Sequence, residues 1–151
     1  PISMSIEDAK KIVNVSMTKV TDSLYNLIKN IAFLSLRDHV FDEETEVALS
    51  ALVSIIVLSS VYPKFTYKDL DNTEMPFLFK EFWKLHKQSP SLFSEILKES
   101  QNADEPKPST DVNDEKWCKF VQDLCRIGKW NYATFFQEVR PLPRSCVEST
   151  T

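Results

Sequence analysis

The chain has 151 residues, 26% of them charged and 42% hydrophobic, with a net charge of −4 and a pI near 5.2. A chain of this length forms one domain and buries a core without a metal or disulfide, and its acidity excludes a field that would draw it onto nucleic acid or an anionic membrane. Its single glycine, against an average share of about 7%, excludes hairpin-rich β folds and glycine loops that cradle phosphates.

In chain order, Ser5 with Asp8 three residues on is a helix start, and Ile6 to about Leu36 runs without Pro or Gly. Within it Val13, Met17, Val20, Leu24, Leu27, Ile31 and Leu34 alternate spacings of four and three, a heptad seam interrupted by Lys10 near its start. The first two thirds are otherwise polar, whereas Ile28, Ala32, Phe33 and Leu36 widen the apolar arc, so the far half is expected to be the more deeply buried. The seam is expected to pack inside the molecule, as antiparallel helices in bundles use the same spacing as coiled coils. Val13, Met17 and Val20, in the near half, are the candidates for self-association into a homodimer.

Asp42 is a good N-cap, followed by glutamates that suit a positive helix end, and a second helix is predicted over Glu43–Val61, stopped by Pro63. Its Val47–Tyr62 stretch has sixteen residues, no charge, and ten large apolar side chains pointing all round the axis. A helix apolar on every side is enclosed by others. The run is too long for one strand and has no turn residue within it. It is shorter than the roughly 20 apolar residues of a bilayer span and carries four serines, so no membrane is expected. Ser50, Ala51 and Ser54 make a small-residue patch that lets one neighbour approach closely, their hydroxyls returning to the backbone four residues earlier.

Asp69–Glu74 superficially has a calcium loop's acidic spacing but lacks the central glycine and the acidic twelfth position, where Lys80 stands. A third helix is predicted from a Thr73 cap with Pro76 in its first turn; Leu78, Phe79, Phe82, Trp83 and Leu85 share one arc and Lys80, Lys84 and Lys87 the other. This is the richest aromatic face in the chain. It reads as core, with a surplus, Trp83 first, lining a groove for a partner helix or peptide. Phe79, Phe82, Trp83, His86 and Trp130 are the candidate partner-binding residues. Ser89 and Pro90 open a short fourth helix, and residues 99–114, almost without large apolar side chains, are expected to form a mobile surface loop.

A fifth helix is predicted over about Glu115–Ile127, with Gly128 as a left-handed C-cap, and a sixth over Tyr132–Val139, capped by Asn131. The joint LCRIGKWNYATFF, Leu124–Phe136, resembles the inter-helix turns of helical-repeat and PCI-type domains, but no internal repeat of matching period accompanies it and it specifies no family. The end, from about Pro141, should be extended.

The three cysteines are odd in number and without CxxC spacing; Cys118 and Cys125 fall on one face of one helix. They read as small reduced core residues, which points to a cytoplasmic or nuclear setting. No His–His, His–Cys or Cys–Cys pair stands at ligand spacing, so no metal or cofactor is expected. No nucleophile, base and oxyanion stabiliser fall into a pattern, so the chain is not expected to be an enzyme. These readings converge on an all-α domain of about six helices around a central apolar one, possessing some helical-repeat character. Its expected role is a non-catalytic protein-interaction module of a larger intracellular protein; the alternative is self-association along the first helix.

Overall fold

The computed structural model describes residues 5–36, 40–70, 75–102, 112–144 and 146, and the side chains of these except at 12–18, 69 and 112. The fold is all-α: α1 Ile6–Ser35, α2 Glu43–Val61, a 3-10 turn at Tyr67–Asp69, α3 Phe79–Gln88, α4 Leu92–Ser100, α5 Val112–Gly128 and α6 Ala133–Phe136, with no strand among the described residues.

The first two helices begin where their caps place them. Ser5 Oγ accepts the Asp8 N–H at 3.1 Å, and Glu7 and Asp8 meet the positive end of α1. Asp42 stands at the N-cap of α2, where its carboxylate accepts the Thr45 hydroxyl rather than a backbone amide. The two helices pack on each other. Ser54 Oγ donates to the Tyr25 carbonyl at 2.8 Å, whereas Ser50 Oγ returns to Glu46 of its own helix. Ser54 therefore bonds across the helix pair, not back along α2 as its type suggests.

Tyr25 lies ten residues before the end of α1 and Ser54 eleven after the start of α2, the matched spacing of an antiparallel hairpin. Since α2 ends seven residues past Ser54, roughly the first dozen residues of α1 overrun it, about 18 Å of helix at about 1.5 Å per residue.

Nine residues of α2 are buried, from Thr45 to Leu58, while its last turn leaves Val57 and Val61 exposed. By length and apolarity α2 would also suffice to cross a bilayer, but half of that stretch is buried within the protein.

Phe82 is the meeting point of the other helices. Its ring lies 5.2 Å from Phe93 of α4, 5.5 Å from Phe120 of α5 and 6.1 Å from Phe136 of α6. Trp117 stacks on Phe120 and meets Phe136 edge-on at 5.1 Å. One contiguous core runs from Tyr25 to Phe136.

Several elements depart from their sequence reading. α3 starts at Phe79, not beside Pro76; a turn closed by Phe79 N–H to Pro76 O at 3.0 Å precedes it, and Thr73, with most of the calcium-like loop, lies outside the described residues. α4 starts at Leu92 behind a turn closed by Leu92 N–H to Ser89 O, and α6 is four residues rather than eight. Asn131 Oδ1 does accept the Ala133 N–H at 3.1 Å. The expected loop at 99–114 is shorter than its composition suggests, because Glu99 and Ser100 close α4 and Val112–Asp114 open α5; its residues 103–111 lie outside the described residues, and so does His39.

Gly128 is not a left-handed cap. Its φ is not positive, and Lys129 at φ 53° takes the left-handed turn instead. Glycine is needed at 128 because a Cβ there would fall 2.6 and 2.8 Å from Tyr132 ring carbons.

The cysteine reading is also corrected. Cys118 and Cys146 are joined in a disulfide with Cα atoms 5.9 Å apart, and only Cys125 is a free thiol. Sequence could not foresee this, because 28 residues separate the pair and connectivity is not encoded in spacing. The argument from unpaired thiols to a reducing compartment loses its premise with it.

Candidate interaction surface

The aromatic face of α3 is consumed internally. Phe79 and Phe82 are fully buried, so neither can line a groove for a partner, contrary to the sequence expectation. The reason is that rings from α3 to α6 pack on one another and not only on α2, so Phe79 and Phe82 are taken up between these helices.

Trp83 is half-buried, stacked on Phe79 at 6.1 Å and on His86 at 5.5 Å, edge-on to Tyr67 at 6.2 Å, with Lys87 Nζ 5.1 Å from its ring centre. His86 is itself half-buried; burial first, and the Lys87 ammonium second, hold its imidazole below the usual histidine range, so the neutral ring is favoured. Phe77, just before α3, stays exposed.

Trp130 is on a different part of the molecule, in the turn between α5 and α6, edge-on to Tyr132 at 5.1 Å. It borders a cleft of about 760 Å³ together with Val121, Cys125, Ala133, Pro141 and Leu142. None of the four α3 candidates lines that cleft, so the five proposed partner-binding residues do not form one site.

The longest run of exposed apolar side chains on one helix lies on α1. Tyr25 is fully buried, and Leu24, Ile28 and Leu36 pack against the core. Burial pushes the Tyr25 hydroxyl up to about 12. At 100° per residue these inner residues centre about a third of a turn away from Val20, Leu27, Ile31 and Leu34, which share one narrow arc. That outer strip is exposed: Val20 49%, Leu27 and Ile31 56%, Leu34 82%. Among the described seam residues, then, Val20, Leu27, Ile31 and Leu34 face outward instead of toward the core, and only Leu24, at the edge of the arc, packs inward. Ile28 and Leu36, read as a mere widening of the seam, belong with Tyr25 to the side that packs inward.

Val13 and Met17 lie in the helical backbone of α1, and their side chains fall outside the described residues; Val20 is the one self-association candidate seen directly, and it is exposed. Ser23 and Asn30 flank the strip on one side without charge.

Among the described residues no three His, Cys, Asp or Glu side chains converge as a metal site would require. No protein family, curated protein or solved structure matches the chain.

Proposed function

We propose that this chain is a non-catalytic interaction domain, an adaptor or assembly module of a larger protein. In this reading the helices form a bundle around α2, and the outer strip of α1 docks an apolar helix of a protein partner. The observation that carries it is the set of four large apolar side chains on one arc, each about half exposed or more. Singly exposed apolar residues are ordinary on a soluble surface; a continuous stripe along one helix marks an interaction site. A partner helix with apolar residues at three- and four-residue spacing fits such a strip.

Leu27→Asp with Ile31→Asp tests the proposal. The double variant should keep its far-ultraviolet helical signal and lose a partner that the parent chain captures from a cell lysate. If the folded parent captures nothing, the reading fails.

A second reading rests on the four-and-three spacing itself, which suits a second copy of the same helix. Sedimentation at micromolar concentration separates the two: a strict monomer removes self-association, and a dimer abolished by the same double variant establishes it.

A further inference from the structure

Cys146 lies beyond α6, yet it is only 4% exposed and is covalently tied to the half-buried Cys118 of α5. Between Arg140 and that bond the chain passes Pro141 and Leu142, which form one wall of the cleft that Cys125 and Trp130 also border. Cys125 stands two helical turns from Cys118 and its sulfur accepts the Tyr132 N–H at 3.3 Å. Noncovalent contacts add to the hold on this wall. Leu142 packs half-buried against the core, Gln122 Nε2 approaches Cys146 Sγ at 4.0 Å, and Cys146 N–H bonds Pro143 O inside the segment itself. One half-buried leucine between two prolines is little apolar surface to offset the ordering of the segment. The bond at Cys146 must supply much of the restraint.

We propose that the Cys118–Cys146 disulfide is a redox clasp that holds Pro141–Leu142 against the α5–α6 cleft, and that a dithiol reductant opens the cleft without unfolding the helices. Cys118, the more accessible of the two sulfurs, takes the attack. A thiolate of the dithiol bonds to Cys118 Sγ, the sulfur–sulfur bond breaks, and Cys146 leaves as a thiolate that picks up a proton. The dithiol's second sulfur then displaces Cys118, which is protonated in turn. Two electrons and two protons pass to the protein, and the dithiol departs as its own disulfide. Because the leaving Cys146 thiol is no longer tethered, the wall it anchored is free to move away from Cys125 and Trp130.

The test uses the full chain purified without reductant. Native alkylation should label Cys125 alone, and slowly. After dithiothreitol under native conditions, the far-ultraviolet signal should persist, amide exchange at Leu142 and Arg144 should rise at least tenfold, and Cys125 should alkylate at least tenfold faster. Cys118→Ser should show the same exchange and Cys125 reactivity with no reductant present, and Cys146→Ser serves equally if the first variant does not fold. Labelling of all three cysteines in the unreduced chain overturns the clasp. So does a less than twofold change in exchange and Cys125 reactivity on reduction, or loss of the helical signal when the bond is opened.

Discussion

At the residue scale, Arg140 illustrates how a residue near the end of a chain becomes structural. Its guanidinium pairs with Asp42 and, at 3.1 Å, with Glu44, sits 4.5 Å over the Trp117 ring, and its carbonyl accepts Trp117 Nε1–H at 3.3 Å. Asp42 is buried, so Arg140→Ala would strand its carboxylate. We expect a loss of about 3–5 kcal/mol, measurable by urea denaturation. Gly128 makes a converse point, since its lack of a side chain is a packing requirement of Tyr132. Gly128→Ala should cost about 1–3 kcal/mol by overpacking, whereas the same change at an open helix position would stabilise. His86 adds a pH dependence. Its folded imidazole holds a proton less tightly than the unfolded one, so below about pH 6.5 the unfolded chain binds more protons and stability rises with pH. That contribution is complete above the unfolded value and is lost as pH falls through the lowered folded one. His86→Gln should flatten the stability slope between about pH 5 and 7, as read from thermal midpoints across that range.

At the scale of elements, α1 and α3 exchange the roles their sequences suggest. Both carry large apolar residues at helical spacing. α3 is short, and its rings meet rings from α4, α5 and α6, so its apolar face closes. α1 is thirty residues long and has one neighbouring helix as its main contact, α2. One neighbour covers one arc. The arc chosen holds Tyr25, whose carbonyl is reached by Ser54, one of the small residues Ser50, Ala51 and Ser54 of α2. The heptad arc is left beside the contact, not in it. Leu27→Asp with Ile31→Asp should consequently shift the unfolding free energy by no more than about 0.5 kcal/mol per site, the range of ordinary surface changes; a much larger loss in denaturant titration would mean that the strip is buried in solution.

At the scale of the whole molecule, buried residues from every α-helix belong to one connected cluster, and Phe41 links the end of the first hairpin to Phe120 at 5.8 Å. Far-ultraviolet ellipticity and tryptophan fluorescence should therefore lose their native signals in a single coincident transition; separated midpoints would show that the α1–α2 hairpin melts apart from the rest. Sequence alone was enough for the all-α class and for the bounds of α1 and α2, because Ser5, Asp42 and Pro63 act within a few residues of the ends they define. It also placed the aromatic residues on the correct face of α3, since periodicity assigns residues to a face. What it could not decide is which face meets a neighbour. α1 has two apolar arcs about a third of a turn apart, and only the approach of α2 selects Tyr25 over the heptad seam. The same limit hid the Arg140–Asp42 pair, the ring cluster around Phe82 and the Cys118–Cys146 bond. Each joins positions distant in the chain, and their energies come from burial and proximity that exist only once the helices have packed.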